Sequence, residues 1–594
     1  MPRLAPGDSI QTALDQAVPG TVITLSPGAY YERLWITTAG VTLDAEEGTV
    51  LHGGTRVSDW EPATDVGSGV WKTASIPYSP YAMTCDTQAI WRINDDTMQG
   101  HEVYGCLADG FAYLTRPAQG NYSGNIGYTV SSYWDGMEAL FGVLGSLTYV
   151  RLRDGGDPTP LGLHSAPRGA VVTIEGVSGV TLRGLTILGG ETQVEVRGAS
   201  DTMIEDCTLS TGRRRVLIGE GAIRTLLAHC EMTSASLGMA FYQPGEWQRD
   251  AEEYLYVVRA HQYNENKFCC GRTTEDTTDV YVHDATDTHI ENCLCTNGIV
   301  GISLWGGSGT RITNNVISGM GAQGLWLHEG ASHAEIGDNL LTNCEHLMRV
   351  QDCEDLRTRT YYFYHNQCWQ PRPDSQSPKH INTSFAGVDG QAVSASIELW
   401  IYHNSFAGGG WAVDAGNSDH QLPYLTMVNN IFSTRGIASG GGTREGVFAY
   451  NWSSCGFAPH AEEGNVAGEA RLWDDTTMPD FVVPEGSSAA SGALDVSQPF
   501  TIAGLDYPAL PGCTEPQAAF GARGDVPVPP DPEPEPGASD KQVTTVVRAL
   551  SGGLSYQVKV QVLAGETVVA ENISLPFTVS GSPPVVEVPV VEDL

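Results

Sequence analysis

One spacing recurs through the middle of the chain: an apolar residue, two variable positions, a small or polar residue, one further position, and an apolar residue. It runs through Leu182, Leu185 and Ile187, then Ile204, Cys207 and Leu209, then Leu227, Cys230 and Met232, then Ile290, Cys293 and Cys295. Further on the central residue becomes asparagine, at Asn315, Asn339, Asn366, Asn404, Asn430 and Asn451. Most centres lie 21 to 27 residues apart, with one step of 63 and one of 38. A near-constant period of this length means stacked units, none of which buries its apolar face alone. Apolar positions two apart make the elements short strands, with Gly, Asn, Ser and Thr at the corners between them. Asparagine tolerates the left-handed backbone of a sharp corner, and its amide can bond to the same residue one coil away. Six central asparagines therefore predict a stacked ladder, continued inward by Cys207, Cys230 and Cys293 as unbridged thiols.

The first residues fit an end-piece. Ile10, Ala13, Leu14 and Ala17 recur at helical spacing before Gly20 and a strand, which predicts a short amphipathic helix capping the open end. A leucine-rich consensus is absent. The chain resembles the right-handed parallel β-helix proteins of the pectate-lyase superfamily over roughly residues 1–525. That superfamily includes polysaccharide lyases, glycoside hydrolases and phage tailspikes. The fold expected is all-β: a right-handed parallel β-helix with an N-terminal capping helix and a small C-terminal β-sandwich-like domain.

Five regions follow from composition. Residues 1–60 are the cap and first coils, and 61–165 an aromatic-rich inserted subdomain (Trp71, Tyr78, Trp91, Phe111, Trp134). Residues 166–525 are the β-helix, with an excursion at about 244–285, and LPGCTEPQAAFGARGD resembles a closing segment of this family. VPVPPDPEPEPG at 526–537 is a Pro/Glu-rich linker. Residues 538–594 alternate apolar and polar positions, as a small β-module for attachment or assembly does.

Charge narrows the partners. With 32 basic against 70 acidic side chains the formal net charge is -38, the opposite of a nucleic-acid footprint. No run approaches the ~18 apolar residues of a membrane span. No charged and apolar leader precedes the helix, which fits either a trimmed secreted protein or one made in the cytoplasm and released in a virion. The thirteen cysteines show no zinc spacing. No metal site and no cofactor is expected, with calcium alone left open.

Candidate chemistry lies on the strands that follow the corners. Alternation sends Met239, Phe241, Ile302, Leu304, Leu325, Leu327, Met348, Val350, Trp411 and Val413 inward. The outward row is then Glu195, Arg197, Tyr242, Ser303, Trp305, Trp326, His328, Arg349, Gln351, His380 or Asn382, and Asp414, with Glu329, Asp352 and Lys379 beside it. Exposed aromatic faces flanked by charged groups suit sugar rings. Tyr242, Trp305, Trp326, Gln351 and Lys267 are the candidate substrate-binding residues. His328, Glu329, Arg349, Asp352 and Asp414 are the candidate catalytic ones. Hydrolysis would draw on two of the carboxylates. Elimination would use Arg349 or Lys267 to neutralise a uronate and His328 as base. Polygalacturonase-like motifs are absent.

These residues and the resemblance imply a virion or extracellular protein, tailspike-like, that binds a cell-surface polysaccharide, with its depolymerisation left open, and assembles with virion proteins or with itself as a homotrimer. Two alternatives stand beside it: a secreted polysaccharide lyase or glycoside hydrolase, and a non-catalytic fibre or adhesin.

Overall fold

The computed structural model describes residues 2–78, 80, 82–85, 88–93, 122–123, 129–130, 139–144, 146–152, 154–210, 214–233, 278–522, 541–549, 555–564, 567–573 and 577–578. Within 278–522 it leaves out 297, 299, 321–322, 329–330, 345, 353–358, 371–378, 386–396, 409–410, 415–423, 435, 440–445, 456–463, 469–471, 474–478, 503–504 and 518. The chain divides into two compact units, Met1–Pro527 and Val528–Leu594.

Three long parallel sheets build the first unit, and the coils between its two ends visit them in turn. Sheet I runs from Arg3–Leu4 to Gly446–Ala449 in 13 strands, and sheet II from Gly28–Tyr30 to Val466–Ala467 in 13. Sheet III runs from Leu34–Ile36 to Gly436–Ser439 in 11. One coil is Thr181–Arg183, Thr186–Leu188 and Thr192–Arg197. The next coil stacks on it in register, Leu182 beside Ile204, Ile187 beside Leu209 and Val194 beside Val216. The inward apolar residues of all three sheets merge into one continuous buried column. The architecture is the all-β parallel β-helix that the period predicts.

The ladder forms as expected and is longer than expected. The Asn339 Oδ1 accepts the Asn315 backbone N–H at 2.9 Å and its amide at 3.0 Å. The same double contact recurs from Asn339 to Asn366, Asn404, Asn430 and Asn451. A further member, Asn465, accepts the Asn451 N–H at 2.9 Å. At the other end Asn315 accepts the Cys293 N–H at 2.9 Å. Cys207, Cys230 and Cys293 are buried and free, and each thiol donates to a carbonyl, as Cys293 does to Glu291 at 3.2 Å. One expectation is corrected. The left-handed residue is the one before each ladder member: Asn314, Asp338, His365, His403, Asn429 and Tyr450 all have φ between 52° and 60°. The corner thus falls one position early, and the ladder residue is left to aim its amide along the axis.

At the N-terminus the helix α1 spans Ile10–Asp15. The Ser9 hydroxyl accepts the Thr12 N–H, and Glu32 accepts the N–H groups of Ile10 and Gln11 at 2.8 and 3.0 Å. The first-turn donors are thereby satisfied, while Ile10 and Leu14 enter the main core. Between the sheet II strand Thr49–His52 and the sheet III strand Ala170–Glu175 the chain makes an eight-stranded sheet with its own core around Trp60, Met83, Phe141 and Val150.

After the last coil the chain turns back over its own outer faces. Trp473, Phe481, Ala489 and Phe520 cover Leu340, Trp369, Ile431 and Trp452 on sheet II. Val496, Phe500, Ile502, Leu510 and Cys513 cover Tyr364, Tyr402, Val428 and Ala449 on sheet I. In the second unit Lys541–Ala549, Ser555–Ala564, Thr567–Ile573 and Phe577–Thr578 form one antiparallel sheet. The second layer that a sandwich requires is not among the described residues.

Candidate functional site

Sheet III presents its outer face through the strands Thr278–His283, Val300–Trp305, Gln323–His328, His346–Asp352 and Lys379–Phe385. Ile302, Leu304, Leu325, Leu327, Met348 and Val350 point into the core, each at most 1% exposed. Alternation therefore sends two columns outward. One is Tyr281, Ser303, Trp326, Arg349 and Asn382, and Asp414 pairs with Asn382 in the next strand. The other is His283, Trp305 and His328, and Gln351 pairs with His328 in the next strand.

The two columns meet in one cluster of rings and cations. Trp305 and His328 stack with centroids 4.2 Å apart and planes at 19°. Trp326 lies 4.6 Å from His328, tilted by 52°, and the Arg349 guanidinium sits 5.6 Å from the Trp326 ring centroid. His283 approaches Trp305 edge-on at 6.2 Å and stacks on Tyr281 at 5.8 Å. Arg214 caps the Tyr281 ring at 4.6 Å. Such faces attract both the C–H surfaces of sugars and the guanidinium groups already lying on them.

Burial departs from the expected open row. Trp326 and His328 point away from the core yet are only 2% and 3% exposed, whereas Trp305 and Arg349 are half-buried. Trp326 also packs on Val300, which is fully buried. The Trp326 Nε1 has no hydrogen-bond partner among the described residues. A buried N–H left without an acceptor costs on the order of 1–3 kcal/mol.

The other candidates divide. His380 is fully buried and meets Phe406 edge-on at 5.5 Å, so it turns inward and Asn382 carries the outward column. The register explains this: pairing skips from Lys379 to Ile381, which breaks strict alternation at the strand's start. Gln351, Asp352 and Asp414 are placed by their strands alone. Glu329, Tyr242 and Lys267 lie outside the described residues. Sequence reasoning passed over Arg214, Tyr281 and His283. The alternating VYVH was the available signal, hidden because the 63-residue step reads as one excursion although its last part is a regular sheet III strand. Among the described residues no group of three or more His, Cys, Asp or Glu is placed to hold a metal.

A family model described as "Right handed beta helix region" matches residues 267–455, the stretch that holds most of this cluster. No curated protein sequence matches the chain. Among solved structures, XylC in complex with xylose is 12% identical, with a TM-score of 0.41 over 93% of this chain and 86% of that one. The polygalacturonase of Erwinia carotovora ssp. carotovora is 9% identical, with a TM-score of 0.39 over 75% and 94%. A tailspike mutant of E. coli bacteriophage HK620 in complex with a hexasaccharide is 10% identical, with a TM-score of 0.38 over 75% and 60%. Identities near a tenth say nothing about shared chemistry.

Proposed function

We propose that the outer face of sheet III binds a polysaccharide lying along the solenoid axis, with Trp305, Trp326, His328 and Arg349 as its centre. The observation that carries this reading is the Trp326 indole: a buried N–H without an acceptor among the described residues, set between the tilted His328 imidazole and the Arg349 guanidinium. A sugar oxygen supplies the missing acceptor while the rings take the C–H faces. Coils stand ~4.8 Å apart, close to the rise of one sugar unit, so successive coils meet successive sugars.

In its finer form the protein is tailspike-like, extracellular or virion-borne, trimeric, and attached through residues 538–594. Trp326→Phe keeps a ring and removes the N–H. Calorimetry on a panel of bacterial surface polysaccharides should show affinity falling about 5- to 30-fold, that is about 1–2 kcal/mol. Arg349→Ala should fall comparably. Unchanged affinity in both variants rejects this face. Product analysis on the bound polysaccharide then separates elimination, which leaves an unsaturated end, from hydrolysis and from binding alone. A solution mass of one 63.5 kDa chain would reject the trimer while leaving the binding reading intact.

A further inference from the structure

The segment that closes over sheet I is held at a polar point as well as by apolar contacts. Leu494 donates its N–H to the Asn429 Oδ1 at 2.7 Å, and its carbonyl accepts from the Asn429 Nδ2 at 2.7 Å. Gly521 donates to the Asn429 carbonyl at 2.8 Å, and the Tyr402 hydroxyl donates to the Pro511 carbonyl at 2.7 Å. Asn429 therefore clamps both ends of residues 494–521. Its side chain cannot turn over, because the reversed amide would set oxygen against the Leu494 carbonyl and N–H against the Leu494 N–H.

That fixed orientation decides the state of a neighbour. The Asn429 Nδ2 also lies 3.0 Å from the His403 Nε2. Because Nδ2 can only donate, the His403 Nε2 must accept, and the imidazole must be neutral while the segment is docked. His403 is 1% exposed, so a proton on Nε2 would place two N–H groups face to face without water to separate them.

His365, one corner earlier and 5.4 Å away ring to ring, behaves differently. Its Nδ1 lies 3.4 Å from the Asp338 carboxylate, and its Nε2 lies 2.9 Å from the Gln517 amide and 3.8 Å from the Cys513 thiol. The Gln517 amide can rotate to offer either its oxygen or its N–H, so no donor is locked against the His365 Nε2 as one is against that of His403. The other titratable groups around the pair are Tyr364 and Tyr402, whose hydroxyls burial pushes up, with Glu335 and Arg311 acting on Tyr364 from the same sheet.

We infer that His403 is a proton-sensitive latch that holds residues 494–521 on the solenoid when neutral and releases them in mildly acidic medium. A free imidazole charges near pH 6.5. The docked form excludes that proton, so docking is at full strength above this pH and weakens as pH falls through it.

Hydrogen exchange of the full chain, corrected for intrinsic rates at each pH, tests the latch. Between about pH 7.5 and about pH 5, protection of peptides spanning 494–521 should drop by about tenfold or more, while peptides around Asn315 keep theirs. His403→Gln supplies an oxygen acceptor that takes no proton and should abolish the response. His365→Gln should preserve it. Asn429→Asp exchanges the opposing donor for an acceptor and should invert the sign, with tighter docking in acid. That inversion decides the matter should His403→Gln fail to fold. Constant protection in the natural protein, an unaltered response in His403→Gln, its loss in His365→Gln, or an uninverted Asn429→Asp would each overturn the assignment.

Discussion

Arg215 and Asp279 sit in sheet III with side chains 1% and 0% exposed and an Nε–Oδ1 separation of 3.4 Å. Burial pushes the Asp279 carboxyl from 3.8 up to about 7, against the opposing pull of Arg215. Because the folded value is raised, this group's contribution to stability is complete below about pH 4 and is lost as pH climbs through about 7, an effect on the order of 4 kcal/mol. Asp279→Leu alone removes the carboxyl facing a buried guanidinium and should cost about 3–5 kcal/mol, whereas Arg215→Met with Asp279→Leu should recover that loss or better. Urea unfolding from pH 4 to 8 checks both results, and the double variant should lack the pH slope. At this scale the sequence was only half legible. Alternation aimed Trp326 and Arg349 correctly, but which outward side chains are covered depends on long-range packing that no local spacing records. Trp326→Ala, which would be harmless on an open face, removes a buried ring and belongs with core deletions of about 3–5 kcal/mol.

Elements were read best where one spacing repeats without interruption. The ladder from Asn315 to Asn451 was legible because each amide must meet its copy one coil away. Asn465 was missed because only 14 residues separate it from Asn451, and the strand Thr278–His283 because an excursion precedes it. Asn366 shows what the ladder is worth. Its oxygen serves the backbone and amide of Asn339, and its Nδ2 serves the Ile336 carbonyl and Asn404. Asn366→Ala leaves several buried polar groups unpaired and should cost roughly 3 kcal/mol or more. Asn366→Cys restores the donor used naturally at Cys207, Cys230 and Cys293, and should recover about half of that in denaturant unfolding.

On the scale of the whole molecule, contacts concentrate within Met1–Pro527 and, separately, within Val528–Leu594. Removing residues 528–594 should leave the near-UV circular dichroism and thermal transition of the solenoid unchanged while altering its mass in solution. Collapse of the solenoid would show that the two units fold as one. The formal charge of -38 also sets self-repulsion against compactness. Raising ionic strength should therefore raise the unfolding temperature, since screening shortens the reach of like charges.

The closing segment has a consequence in time as well as in space. Trp369 is not fully covered on sheet II until the last of its partners, Phe520, follows about 150 residues later, which at roughly 5–20 residues per second leaves part of an apolar strip bare for about 8–30 s on the ribosome. Nascent chains in that window resemble a broken solenoid with a sticky flank. A chain ended at residue 478 freezes the window open and should be recovered in inclusion bodies or bound to chaperones, and the same truncation carried on a Trp369→Gln, Trp452→Gln background should return in part to the soluble fraction. If so, the last stretch of the solenoid unit to be made should govern how many of the coils before it survive their own synthesis.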